Sequence, residues 1–293
     1  MSQENSGTMA QQADPIDPKQ VGAWYDQFGD VYHQTIGDSL HCGLWVPPDA
    51  PPPAGLDLVT LSSEAQDRYT DYLISVLHLR PGQRFLDIGC GPGRPAGRLA
   101  ELTGAHVTGI SVSKEQIDRA VRLAAETAGA AGSGRLTFEV ADATCLPYDD
   151  ESFDGAWAVE SIGHMDRAKA LKEAWRVLRP GGELLVLEAV LTAEPTEADT
   201  ALYDQVLASN LPLRMPEFFA LVEEAGFHTL ELKDLTANLA LSMDVMELVF
   251  RDRSQEMSER FGPEFAGLMA AALPGVRALV REKIRFFLLL LRK

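Results

Sequence analysis

Covalent staples are nearly absent from this sequence: its 293 residues include three cysteines, Cys42, Cys90 and Cys145. An odd number without metal-ligand spacing argues against a disulfide framework and against a thiolate cluster. Reduced thiols in a cytoplasmic protein with no metal site are the expectation. Long apolar runs are missing too. The longest, Phe286 to Leu291, falls far short of the ~20 residues that a bilayer span requires and reads instead as a buried strand. The N-terminal residues are polar and lack an apolar core, so no signal peptide is expected. Bases are scarce, 26 against 43 acids, for a net charge of -17. A surface that negative repels nucleic acid and anionic membranes and leaves a small molecule as the expected partner.

What is present is a glycine turn. Gln83 to Gly93 reads Gln-Arg-Phe-Leu-Asp-Ile-Gly-Cys-Gly-Pro-Gly, an apolar strand ending in an acid and then in alternating glycines. Without Cβ atoms the backbone can approach a ligand closely, and the helical composition that follows supplies a helix N-terminus with free N–H groups. From there the pattern alternates. Helices at 92–103, 113–127 and 167–178 separate strands at 83–88, 106–110, 135–140, 153–159 and 183–190, with the turn Arg179-Pro-Gly-Gly182 before the last. Such alternation predicts a parallel, doubly wound α/β sheet. Beyond it the rhythm breaks: helices at 196–209 and 215–224, a strand at 228–235, a helical region at 242–281 and a strand at 283–291. A sheet finished by an antiparallel edge strand, with helices at about 196–225 and 242–281 as a lid, is expected. N-terminal to the sheet, 1–17 reads as a disordered tail. Residues 18–80 read as a helical flap with a proline linker at 47–55, and 81–293 as the main domain.

Three strand ends carry candidate ligand contacts. Asp87 beside Gly89 and Gly91 can accept hydrogen bonds from the polar head of a cofactor, or from nearby loop N–H groups. In a dinucleotide site an acid after the second strand grips the ribose; here stands Ser111, followed by Gln116. Those two could divide the ribose hydroxyls, or Gln116 could close a Ser113-x-x-Gln116 capping box. Asp142 could receive an exocyclic purine amine, with the Ala143 N–H meeting a ring nitrogen, or could cap its own loop.

Together these features resemble the class I S-adenosylmethionine-dependent methyltransferases. Asp87 to Gly93 matches their first motif, Ser111 to Gln116 looks like the neutral ribose variant, and Asp142 and Arg179 to Gly182 match later motifs. The likeness is greatest to actinomycete natural-product enzymes of the rebeccamycin sugar O-methyltransferase type, through Tyr25, His41-Cys-Gly-Leu-Trp45 and Glu160-Ser-Ile-Gly-His-Met165. It implies a Rossmann-like seven-stranded fold and S-adenosyl-L-methionine as cofactor. It also implies methyl transfer to a small, largely apolar acceptor, with a hydroxyl favoured over nitrogen or carbon. A cyclase or cofactor-binding protein of the same fold is the alternative, and a homodimer is allowed. Glu160 joins the implied cofactor set. Tyr25, from the flap, could set its ring against a sulfonium, while Trp45 could equally be core. For a hydroxyl acceptor, His164 and Glu188, both near strand ends, are the candidate bases. The sequence departs from the rebeccamycin type at Gly163, where that type has a second histidine.

Overall fold

A computed structural model describes residues 17–36, 39–45, 58–127, 136–207 and 209–293. The expected proline linker and all but the last residue of the expected tail lie outside them. Two helices, α1 (Pro18–Ile36) and α2 (Leu58–Val76), precede the sheet. The alternating core follows: β1 (Arg84–Ile88), α3 (Arg94–Thr103), β2 (His106–Ser111), α4 (Lys114–Thr127), β3 (Leu136–Val140), β4 (Phe153–Val159), α5 (Arg167–Val177) and β5 (Leu178–Leu191). Then come α6 (Glu197–Leu207), α7 (Met215–Glu224), β6 (His228–Asp234), α8 (Thr236–Asp252), α9 (Ser254–Phe261), α10 (Pro263–Lys283) and β7 (Ile284–Arg292). The Arg179-Pro-Gly-Gly segment is not a turn ahead of β5 but a bulge within it. Leu178 pairs with Phe153 and Glu183 with Gly155, so the residues between loop out.

The seven strands stand in the order β3-β2-β1-β4-β5-β7-β6. β1 to β5 are mutually parallel, and β7 runs antiparallel to both β5 and β6. The antiparallel strand is therefore not the edge, contrary to the sequence expectation; β6 is. Side-chain chemistry explains the order. β7 is apolar on both faces and buried along most of its length, so it belongs inside the sheet. β6, His-Thr-Leu-Glu-Leu-Lys-Asp, is mostly exposed, and its charges suit an edge that must resist pairing with other chains.

Two hydrophobic layers flank the sheet. On one face Phe85, Val107, Trp157, Leu185 and Leu288 pack with residues of α2, α3, α8 and α10. On the other, Leu86, Ile88, Ala156 and Val186 pack with α5 and α7. That second layer corrects the expected lid at 196–225, because Phe218 and Val222 of α7 are fully buried on the sheet face opposite α8 and α10. Helix α1 crosses the carboxyl edge. Its Gly22 passes so close to Val112 that a Cβ would lie 3.0 Å from the Val112 carbonyl oxygen. Phe28 stacks on Phe265 of α10, with centroids 4.8 Å apart.

The contrast between β7 and β6 is testable. Leu288→Ala, at a position with no exposed surface, should cost about 2–5 kcal/mol. Leu230→Thr on the edge, where 44% of the residue is exposed, should stay within about 0.5 kcal/mol. Denaturant midpoints of the two variants decide it.

Candidate active site

The carboxyl ends of β1, β2 and β4 meet beneath α1. β1 ends in Asp87 and Ile88, and Gly89 turns the chain with φ 78°. A Cβ at Gly89 would collide with the Cβ of Ser161, so only glycine lets the two strand ends close together. Ser161 fastens the junction, its hydroxyl donating to the Ile88 carbonyl at 2.5 Å. Asp87 itself is 2% exposed, and its Oδ2 has no hydrogen-bond partner among the described residues. The indole N–H of Trp157, its register partner on β4, is likewise unpaired. Burial pushes the Asp87 carboxyl up to about 7.

Two cavities open on this edge. The first, about 670 Å³ including its mouth, touches the glycine turn at Gly89 and Gly91, the β2 end at Ser111 and Gln116, and the β3 end at Asp142 and Ala143. The Ser111 hydroxyl donates to Oε1 of Gln116 at 2.7 Å and accepts from the Ser113 N–H at 3.1 Å. The capping box is thus only half made: the Gln116 N–H meets the Ser113 hydroxyl at 3.2 Å, but the Gln116 side chain is turned to Ser111. The Gln116 side chain therefore does not close the capping box, and it lines the first cavity. Asp142 Oδ1 accepts from both N–H and hydroxyl of Thr144 at 2.8 Å. It therefore shapes its own loop while lining the same space.

The second cavity, about 1150 Å³ including its mouth, lies between β5, β7, α6, α8 and α10. Glu188 is here, away from the first cavity. Its Oε1 accepts from Arg167 Nε at 3.0 Å and Nη2 at 2.9 Å. Burial raises the Glu188 carboxyl, and Arg167 works against that rise. Arg167 escaped the sequence reading, yet a signal was available: a cation in the first turn of a helix opposes the helix dipole, so it needs a partner elsewhere.

Tyr25, Leu40, Glu160 and His164 line both cavities. His164 sits on a 3-10 turn, Ile162–His164, just past β4. It shares a hydrogen bond of 3.2 Å between Nε2 and the Tyr25 hydroxyl, the rings meeting edge to face with centroids 5.6 Å apart. Burial, reinforced by the Glu160 carboxylate, raises the Tyr25 phenol above its ordinary range and keeps it neutral. Glu160 holds φ 52°, a left-handed backbone that a residue with a long side chain adopts only when its surroundings impose it. Its carboxylate accepts from the Cys42 N–H at 2.7 Å and the Cys42 thiol at 3.2 Å, and burial lifts it to about 7. The flap tryptophan is settled as packing: Trp45 donates its indole N–H to Ser242 at 2.6 Å and lines neither cavity. Among the described residues no group of three or more His, Cys, Asp or Glu side chains could hold a metal ion. Nor is any helix long and apolar enough to cross a membrane.

Two buried carboxyls with raised values make stability depend on pH. An acid that holds its proton more tightly when folded lets the native state lose ground as the pH climbs from the ordinary carboxyl range towards the raised value. The unliganded protein should therefore show a net loss of stability between about pH 4 and about pH 7 and level off above, as Asp87 and Glu160 ionise, with buried His41, pushed down to about 4, offsetting part of the loss. Asp87→Asn should flatten part of that slope. Denaturant midpoints across the range check it, and an unchanged slope in Asp87→Asn would remove the buried carboxyl as its source.

Comparison with known proteins agrees with this geometry. A family model described as Methyltransferase domain matches residues 86–186, the span from β1 into β5. The chain is 40% identical over 223 residues to 27-O-demethylrifamycin SV methyltransferase of Amycolatopsis mediterranei, covering 75% of this chain and 77% of the relative. It is 32% identical over 275 residues to (+)-O-methylkolavelool synthase of Herpetosiphon aurantiacus, covering 93% of each. Among solved structures the cyclase SpnF superposes with a TM-score of 0.79 at 29% identity, over 96% of this chain and 98% of that one. The orphaned carboxyl of Asp87, the glycine cradle and the neutral Ser111–Gln116 pair suit an adenosyl cofactor with a cationic head. The chain belongs to the class I S-adenosylmethionine-dependent methyltransferases, and S-adenosyl-L-methionine is its cofactor.

Proposed function

We propose that this enzyme methylates a hydroxyl of a small, largely apolar natural-product acceptor held in the second cavity. The observation that carries the reading is the junction of the two cavities. A chamber formed by the strand ends and the glycine turn meets one walled by β5, β7, α6, α8 and α10, and His164 stands where they join. Relatives whose names describe O-methylation support the choice of oxygen over nitrogen or carbon. The net charge of -17 favours a small molecule over nucleic acid or an anionic membrane. We read 81–293 as the catalytic domain and 18–80 as a flap over its carboxyl edge. Of the helices expected as lid, α6, α8 and α10 contribute to the acceptor wall. A homodimer is compatible with this arrangement.

In this reading Ser111 and Gln116 hold the ribose, Asp142 and the Ala143 N–H hold the adenine, and Asp87 with Gly89 and Gly91 receives the amino-acid end. Glu160 fixes the flap segment that closes the chamber. When bound, the cofactor supplies an electrophilic methyl group on a sulfonium. Tyr25 sets a ring face and a neutral hydroxyl at the junction; a cation–π contact there is worth about 0.5–2 kcal/mol. Most of the rate gain comes from holding the acceptor oxygen in line. His164 removes its proton, with Tyr25 orienting the imidazole through Nε2. Glu188, one oxygen of which is bound by Arg167, is the second candidate base.

Likeness to the cyclase SpnF at 29% identity favours one further reading, ring closure with no methyl passed on. S-adenosylhomocysteine formation with a panel of apolar alcohols separates the two. Product accumulation is expected, and its absence alongside chemical change in the acceptor would select the cyclase. His164→Gln should lower kcat by about 10²–10⁴ with S-adenosylmethionine affinity nearly intact, as read by calorimetry. An unchanged rate would remove His164 as the base. Asp87→Ala should act the other way, weakening cofactor binding first.

A further inference from the structure

The acceptor cavity contains a charged pair that the proposed chemistry uses only in part. Arg167, the first residue of α5, and Glu188 of β5 have side chains 7% and 5% exposed, and both line the cavity. The guanidinium spends Nε and Nη2 on Glu188 Oε1, with Nη2 also reaching the Asn210 carbonyl at 3.4 Å. Its remaining nitrogen, Nη1, meets no acceptor among the described residues, and Glu188 Oε2 meets no donor. Neither atom is sealed in the interior: both keep some accessible surface, in residues that line the cavity. Leu239, Met243, Met246, Val276, Val280 and Phe286 form the apolar part of the wall, and no polar group of the wall is bonded to Nη1.

Gly163 lets the turn after β4 approach the bonded side of the pair closely. A Cβ there would lie 2.9 Å from the Ser209 hydroxyl, 3.4 Å from Arg167 Nη2 and 3.9 Å from Glu188 Oε1. Any larger side chain would press on the ion pair or screen it. This is the same position at which the sequence departs from the rebeccamycin-type pattern, and it is the immediate neighbour of His164. Gly163 lines the cavity beside the pair, and a side chain there would take up that space.

We propose that Arg167, held in place by Glu188 in the wall of the acceptor cavity, is a specificity-determining residue whose Nη1 donates to a carbonyl oxygen on the acceptor. The substrate class is then a hydroxy-carbonyl compound, with the carbonyl close to the hydroxyl that is methylated, and not a simple alcohol. Glu188 Oε2 is left to accept from a second polar hydrogen of the same ligand. The proposal rests on the reading of this enzyme as a hydroxyl methyltransferase, which it deepens.

The test is calorimetric titration of the full-length protein saturated with S-adenosylhomocysteine. The probes are a long-chain β-hydroxy ketone and the matching secondary alcohol that lacks the carbonyl. The intact enzyme should bind the hydroxy ketone roughly tenfold or more tightly, the worth of one hydrogen bond to a charged donor. Arg167→Lys keeps a cation for Glu188 but loses the planar fork, so the preference should fall below about threefold while S-adenosylhomocysteine still binds. Gly163→Ser leaves both charges and takes up the space beside them, and it should erase the preference in the same way. That second variant answers the question if Arg167→Lys does not fold. Equal affinity of the intact enzyme for the two probes, undetectable binding of both included, overturns the subsite. So does a preference that survives both substitutions. Methyl transfer is scored separately: no S-adenosylhomocysteine formed from either probe in assays with S-adenosylmethionine, together with an intact binding preference, would count against the hydroxyl reading and for the subsite.

Discussion

The contact between Glu160 and Cys42 is what divides one broad cleft into two chambers. Strand β4 ends in a left-handed residue, which turns a carboxylate across the sheet edge towards the flap segment 39–45. That segment is short and has no ladder of its own, so its backbone groups must find partners elsewhere. They do so on three sides. Gln66 of α2 donates to the Ser39 carbonyl at 2.9 Å, Ser242 of α8 accepts from the Gly43 N–H at 3.2 Å, and Glu160 takes the Cys42 N–H. Remove the carboxylate and the partition loses its only hold on the catalytic strand among these three. One chamber is lined by strand ends and the glycine turn, the other by strands β5 and β7 and the helices that cover them.

The roof over the first chamber is held by a different kind of force. Asp26 of α1 caps the N-terminus of α4, accepting from the Ser113 hydroxyl and the Glu115 N–H. Asp30 reaches Arg119 of α4 and Arg260 of α9. These pairs are partly exposed, and each is worth about 0–1 kcal/mol, so none alone welds the helix down. The buried apolar contacts of α1, chiefly Val21, Phe28 and Val31, are few beside those of the sheet. A roof fastened by many small contacts above a rigid floor can part to admit a ligand without disturbing the floor. The acidic composition takes on a local meaning here: α1 uses two of its acids to complement a helix N-terminus and a pair of arginines.

Much of the fold was legible because alternation of strand and helix is a local property. Apolar runs of strand length, separated by amphipathic stretches, can bury their faces in few ways, and the parallel half of the sheet follows. What misled was the far half. The order of β6 and β7 depends on which strand is apolar on both faces, a comparison between segments more than fifty residues apart in the chain. The placement of α7 against α5, away from the lid, depends on which sheet face still lacks cover. At the site, Ser111, Gln116 and Asp142 could be picked out because strand ends and glycine turns have sequence signatures. Cys42 and Asn210 could not, since each acts through a partner far along the chain, and Arg167 offered only its unfavourable place in the first turn of a helix.

Composition and spacing alone determined that the chain is an α/β protein with a ligand turn after its first strand, because close backbone approach demands glycine and strand burial demands apolar residues. Only the tertiary structure decided which side chains face each other across the cavities. The Gln116 side chain was free, in sequence, to cap its helix or to reach for a ribose; in the fold the Ser113 N–H that it would have capped is bound by the Ser111 hydroxyl, and Gln116 accepts from that hydroxyl instead. Glu188 read as a lone carboxylate until α5 brought Arg167 beside it. Long-range contacts set such choices because the energies of the local alternatives are nearly equal, and a partner from elsewhere in the chain tips the balance.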